Sequence, residues 1–181
     1  MFGLTTLLIV PVHRTMADIA THDVPEGVDP TDWTLGVTGA VRNPLELTAS
    51  DLASFEAETF VGNFACEEGW VAEGLDWRGV RVGRLLDRAG LADGAEYGLV
   101  RSMDDGYACA FSLDRLAESV LAVELDGESL GVEHGGPARL VPTDGGRDCW
   151  ESVKWATVIE VREDRPSEND TAQEIALSRI E

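Results

Sequence analysis

The chain has 181 residues, 44% of them apolar, with 34 acidic against 14 basic residues and a formal net charge of −20. That length is one domain's worth with room for a substantial core, and the apolar share excludes a disordered chain. The sign and size of the charge exclude nucleic acid and an anionic membrane surface as partners, since both would repel it.

Residues 1–19 read as an N-terminal extension. Its apolar run from Met1 to Val12 lacks a basic start, a twin arginine and a clear cleavage site. Met16 is therefore expected to be the natural start, with a core or interfacial strand as the rival reading. A domain over residues 20–163 follows. Trp33 to Val41 alternates apolar with small or polar residues, as a half-buried strand does. Asn43-Pro44 turns the chain, and Thr48 with Asp51 resembles a capping box opening a short helix through Phe55. Thr59 to Ala65 is strand-like and delivers Cys66 at its end. Trp77 to Val80 leads into an amphipathic helix over residues 82–89, stopped by Gly90.

Glu96 to Met103 and Tyr107 to Leu113 predict strands around a turn at Asp104-Asp105-Gly106. Ser112 is placed to cap a short helix through Glu118, and Val120 to Leu125 is a strand turned by Asp126-Gly127. Arg139 to Pro142 and Val153 to Val161 close the strand pattern. Residues 164–181 form a polar C-terminal tail, expected to hold a loose terminal helix. Short strands with brief helices between them give an α+β domain, without the regular alternation of a doubly wound sheet. No apolar stretch is long enough to span a bilayer, so no stable membrane insertion is expected.

Cys66, Cys109 and Cys149 are odd in number and show neither C-x-x-C nor zinc spacing, and His13, His22 and His134 are scattered. A disulfide framework and a structural zinc are not indicated. Lys154 is the single lysine among the 14 basic residues. An acidic, lysine-poor domain of this kind implies a high-salt, halophilic cytoplasm, where a Debye length of about 3 Å at ~1 M salt makes crowded carboxylates tolerable.

Three segments can carry chemistry. In Cys66-Glu67-Glu68-Gly69-Trp70 a cysteine leaves a strand end beside two carboxylates. The carboxylates oppose a free thiolate, whereas a soft metal removes the thiol proton outright. A buried structural cysteine is the alternative. In the run from His134 to Pro142, Gly135-Gly136 permits close backbone approach and Arg139 offers a planar fork for an anion, with His134 beside it. A solvated glycine-rich loop is the alternative there. In Ser152-Val153-Lys154-Trp155 the lysine provides a mobile point charge for a phosphate. A thiolate, an anion-gripping loop and a lysine together suit a large anionic metallocofactor.

The ordered set Trp33…Gly39-Ala40-Val41…Asn43-Pro44, Cys66-x-x-Gly69-Trp70, Trp77-x-Gly79-Val80, Asp105-Gly106-Tyr107, Leu121-Ala122…Gly127…Leu130, His134-Gly135-x-Pro137-x-Arg139 and Val153-Lys154-Trp155 resembles the molybdopterin-binding domain of the sulfite oxidase family. The resemblance covers about residues 20–163. It implies a sulfite-oxidase-type fold of mixed β-sheets with short helices around a molybdenum–molybdopterin (pyranopterin) cofactor. It further implies that Cys66 is the protein thiolate on molybdenum. His134, Arg139 and Lys154 would hold the pterin or its phosphate, with the backbone around Ser152 lining the site.

Sulfite and plant nitrate enzymes follow the ligand cysteine with an arginine-bearing stretch, where this chain has Glu67-Glu68-Gly69-Trp70. They carry another arginine upstream, where this chain reads Thr21-His22-Asp23-Val24-Pro25. Many also have a basic residue three before the lysine, at the position of Glu151. The Cys-x-Glu-x-Trp form is more similar to the bacterial methionine-sulfoxide-reductase branch, in which a carboxylate two after the cysteine lies near the metal; Glu68 matches it. These resemblances imply a molybdenum oxidoreductase that transfers an oxygen atom, reducing a sulfoxide or N-oxide small molecule with electrons from a separate partner. Glu68 or Tyr107 would supply a proton or orient the substrate. The alternatives are sulfite oxidation, with His22 and Arg101 standing in as anion ligands, and a non-catalytic cofactor-binding module of a redox complex.

Overall fold

The computed structural model describes residues 21, 23–65, 71–145 and 148–180, so Cys66, Glu68 and His22 lie outside the described residues. Two five-stranded sheets make the frame. The first runs β2 (Leu45–Thr48), β1 (Thr34–Gly39), β10 (Ala156–Arg162), β5 (Tyr97–Ser102), β6 (Ala108–Ser112). Its β1–β10 pair is parallel, with Val37 opposite Ile159, and its other pairs are antiparallel. The second runs β3 (Ala57–Ala65), β4 (Val71–Arg81), β7 (Val120–Leu125), β8 (Glu128–Ser129), with β9 (Arg139–Val141) also paired to β7. This is the expected α+β architecture of mixed sheets with short helices.

Local chemistry explains most element boundaries. Thr48 and Asp51 form the expected capping box at α1 (Ala49–Ala53): Asp51 N–H donates to Thr48 Oγ1 at 3.2 Å, and Thr48 N–H to Asp51 Oδ2 at 2.9 Å. The helix α2 (Val82–Ala89) buries Val82, Leu85, Leu86 and Ala89 along one stripe and ends at Gly90, whose N–H reaches Leu86 O at 2.8 Å. Ser112 precedes α3 (Leu113–Glu118) but makes no side-chain cap there. Two strands exceed the sequence reading. Leu45–Thr48 pairs with β1 before the α1 cap, and β4 extends back to Val71, antiparallel to β3 with Trp77 opposite Phe60.

The larger core joins the first sheet, the helices and part of the second sheet, and includes Leu35, Val37, Leu52, Leu86, Leu116, Leu121 and Ile159. A smaller one on the second sheet contains Phe64, Leu75, Trp77, Leu125 and Val141. Each fully buried side chain of this size contributes about 1.5–3 kcal/mol against its conformational cost.

Polarity alone predicts a loose helix at the C-terminus, but the chain ties it down. Ala110 N–H donates to Asp170 Oδ1 at 3.1 Å, and Thr171 N–H donates to Ala108 O at 3.0 Å. The helix α4 (Ala172–Ser178) then packs against the turn Cys149–Glu151, burying Ala172 completely, and Arg179 pairs with Asp104 at 2.8 Å. Side-chain oxygens of the tail complete hydrogen bonds along β6, which a polarity reading cannot foresee. No described helix is long and apolar enough to cross a membrane.

Candidate functional site

The segment Val153–Ala156 lies alongside Gly135–Leu140. Leu140 N–H donates to Val153 O at 2.9 Å, Trp155 N–H to Gly135 O at 2.8 Å, and Ala156 N–H to Ala138 O at 2.9 Å. This ladder brings the two basic motifs, far apart in sequence, face to face. Gly135 caps the one-turn helix Val132–His134 with a left-handed φ of 98°. A Cβ there would sit 2.7 Å from Lys154 Cγ, and one on Gly136 would sit 1.9 Å from Leu130 O. Only glycine leaves room for the lysine stem and the turn. The Lys154 carbonyl accepts Ser102 Oγ–H at 2.8 Å, and its Nζ lies 5.6 Å from the Trp155 ring centroid. Trp155 in turn donates Nε1–H to Val132 O at 2.7 Å.

Arg139, opposite Ala122 at the start of β9, is 2% exposed. Its Nε donates to Ser152 Oγ at 2.9 Å and its Nη1 to the His134 carbonyl at 3.1 Å. Ser152 Oγ–H passes on to Leu140 O at 3.0 Å. The guanidinium carbon lies 4.8 Å from the Phe64 ring centroid and 5.2 Å from that of Trp77. These stacks join the end of β3 to the His134 loop. The structure therefore brings His134, Arg139, Ser152 and Lys154 together. It also encloses Arg139 more than a solvent-facing fork requires, and its described contacts shape the loop.

His134 is 6% exposed, and burial, with Arg139 and Lys154 nearby, holds its imidazole below the usual histidine range despite an opposing pull from Glu133. Its Nδ1 and the Nε1 of Trp77 are buried without a hydrogen-bond partner among the described residues. Tyr107 follows the predicted turn, with its N–H on Asp104 O at 3.0 Å. Its hydroxyl donates to Trp150 O at 2.7 Å, and burial first, then the neighbouring Cys109 and Cys149 thiols, pushes its pKa up, so the phenol stays neutral. Tyr107 is thus one residue removed from a cavity wall and engaged with backbone.

That cavity, about 340 Å³, is lined by Asn63, Phe64, Ala65, Gly145, Asp148 and Cys149. Ala65 ends β3 and is the residue before Cys66. Among the described lining residues the ionisable groups are an acid and a thiol. Arg101 is engaged by Glu160, at 2.9 Å and 3.2 Å, on the strand pair β5–β10. Phe64 and Trp77 as ring partners of Arg139, and Asp148 and Cys149 as cavity wall, were not indicated as site residues by spacing. The motif Trp77-x-Gly79-Val80 was a signal for Trp77; the others depend on how sheets and loops meet.

Residues 21–170 match the family model described as the oxidoreductase molybdopterin binding domain. The uncharacterized oxidoreductase YuiH of Bacillus subtilis is 34% identical over 149 residues, covering 81% of this chain and 74% of that protein. The protein-methionine-sulfoxide reductase catalytic subunit MsrP of Campylobacter jejuni is 25% identical, over 75% of this chain and 50% of its own. The sulfane dehydrogenase SoxCD from Paracoccus pantotrophus shares the fold with a TM-score of 0.71 at 24% identity, over 77% of this chain and 40% of that one. The chain thus spans about three quarters of the Bacillus relative and half or less of the other two.

The residues present suit an anionic pterin. Two cations and a buried imidazole gather on one ladder in a chain of net charge −20, and a buried ring nitrogen there lacks a partner among the described residues. A ligand oxygen would satisfy the orphaned His134 atom. The chain belongs to the oxidoreductase molybdopterin binding domain family, and it is an oxidoreductase whose cofactor is molybdopterin.

Proposed function

We propose that this enzyme transfers an oxygen atom from a neutral sulfoxide or N-oxide, taking electrons from a separate donor protein. The observation that carries the reading is the cavity at the end of β3, whose described lining offers Asp148 and Asn63 and no cation. An anion such as sulfite or nitrate would meet a carboxylate there, with Arg101 already committed to Glu160. A neutral sulfoxide meets no such repulsion, and Asn63 offers polar contact. His134 and Lys154 hold the pterin and its phosphate, Arg139 fixes their loop through Ser152, and Cys66 is the thiolate ligand. When bound, the cofactor supplies a two-electron couple linked to oxygen-atom transfer.

Reduction of a sulfoxide consumes two electrons and two protons and releases water with the sulfide. Glu68, two residues beyond the ligand, is the proposed proton carrier, and Tyr107 holds the Trp150 backbone behind the cavity as a neutral phenol. The charge of −20 with a single lysine supports a high-salt cytoplasm as the working compartment.

Steady-state assays separate the readings. With reduced viologen as donor, sulfoxide or N-oxide should be consumed by molybdenum-loaded protein. Turnover of sulfite with an artificial acceptor, and none of sulfoxide, would reverse the assigned direction.

A further inference from the structure

One arginine outside the cofactor ladder holds both ends of the cavity-forming loop. Arg115 stands on α3 and grips Glu151 with two parallel bonds, Nη1 to Oε1 at 2.5 Å and Nη2 to Oε2 at 2.8 Å. The same guanidinium grips Asp144, Nε to Oδ2 at 2.9 Å and Nη2 to Oδ1 at 3.2 Å. Its side chain is 27% exposed and that of Glu151 15%, so this pair is shielded from water as surface pairs are not. The Phe111 ring, 5.5 Å from the guanidinium carbon, supports it from behind. Glu151 Oε2 also accepts Asp148 N–H at 2.8 Å. Three cavity-lining residues, Gly145, Asp148 and Cys149, lie between the two gripped carboxylates, and Ser152 of the Arg139 network follows directly.

We infer that Arg115 is a positioning residue: by clamping Asp144 and Glu151 it sets the cavity wall at Asp148–Cys149 and the path of the chain into Ser152 and Lys154. Its described carboxylate partners, Asp144 and Glu151, flank the lining residues, and it acts through them. Lysine could keep the charge but not the planar fork that holds two carboxylates at once. The substrate consequence rests on the proposed use of this cavity; the positional claim does not.

The thiol of Cys149 reports the wall without any substrate, and the buried Cys109 serves as an internal control for global opening. Full-length Arg115→Gln, Arg115→Lys and Glu151→Gln proteins would be alkylated with iodoacetamide and the two cysteines followed by mass spectrometry. Loss of the clamp should speed Cys149 alkylation by about tenfold in Arg115→Gln while Cys109 stays protected, with Arg115→Lys giving only partial rescue. In the molybdenum-loaded protein, KM for sulfoxide should rise more than kcat falls. A folded Arg115→Gln protein with an unchanged Cys149 rate, or full rescue by lysine, would overturn the inference. If Arg115→Gln does not fold, Glu151→Gln decides by the same criterion, with equal acceleration at Cys109 and Cys149 counting against it. A wild-type enzyme inactive on sulfoxides would sink the substrate reading and leave the alkylation result standing.

Discussion

Gly135 and Lys154 pack so closely that a methyl group on the glycine would lie 2.7 Å from Lys154 Cγ and 2.9 Å from its Cβ. The single lysine of the chain therefore takes its position from a backbone conformation nineteen residues earlier, at φ 98°. Gly135→Ala should both strain the backbone, at about 1 kcal/mol or more, and push the lysine off the ladder. Gly106→Ala is the control, since Gly106 also has a positive φ (76°) but nothing within 4 Å of its Cβ position. Both should lower the midpoint of urea unfolding, but only Gly135→Ala should lower bound pterin, read by fluorescence of the released cofactor.

Lys154→Met should keep the stem that packs on Gly135 and remove the charge. Pterin content should fall severalfold while the urea midpoint moves little, because a half-exposed lysine contributes little to folding. Unchanged pterin content would remove Lys154 from the cofactor site.

Ser152→Ala removes the hydroxyl that accepts from the buried Arg139 Nε and donates to the Leu140 carbonyl. The expected loss is about 1–3 kcal/mol of stability, larger than for a surface serine. Equilibrium unfolding in urea measures it.

Acid should weaken the cofactor-free protein through His134. Its folded pKa is depressed below the ordinary 6.5, so the unfolded state binds its proton first as pH falls. The stability is present above that value and is lost as pH falls from it toward the depressed folded pKa. The Glu58 carboxyl, depressed by Arg81 and Arg84, acts only below its ordinary 4.5. Between about pH 7 and pH 5, wild type should therefore lose more stability than His134→Gln, a difference readable from paired urea titrations. Parallel losses would show that His134 does not titrate differently on folding.

Asp148→Asn removes the carboxylate from the cavity wall. The ratio of kcat/KM for sulfoxide over that for an anionic substrate should fall, by less than tenfold given the exposure of the site. An unchanged ratio would mean that the cavity does not discriminate by charge.

Much of this fold was legible because its signals are local. Alternation gives β1, the turn at Asp126-Gly127 ends β7, the Thr48–Asp51 box opens α1, and Gly90 stops α2, each decided within a few residues. The early part of β4 was not, since Val71 to Asp76 draws its strand character from pairing with β3 rather than from its own pattern. His134, Arg139, Ser152 and Lys154 could be marked by residue type and motif order. The enclosure of Arg139 by Phe64 and Trp77 could not, because it arises where β9 meets the other strands of its sheet. The Arg115 clamp was equally hidden: its partners lie 29 and 36 residues away, and nothing local marks an arginine on α3 as different from its neighbours.

The central claim is molybdenum-dependent chemistry at the end of β3, with Cys66 as the protein ligand. It is tested most directly by turnover per bound molybdenum, measured with sulfoxide and reduced viologen, in wild type and Cys66→Ser expressed in a molybdenum-competent host. The account predicts sulfoxide-dependent turnover in wild type and its loss in the variant. Full molybdenum-dependent turnover by Cys66→Ser would contradict it.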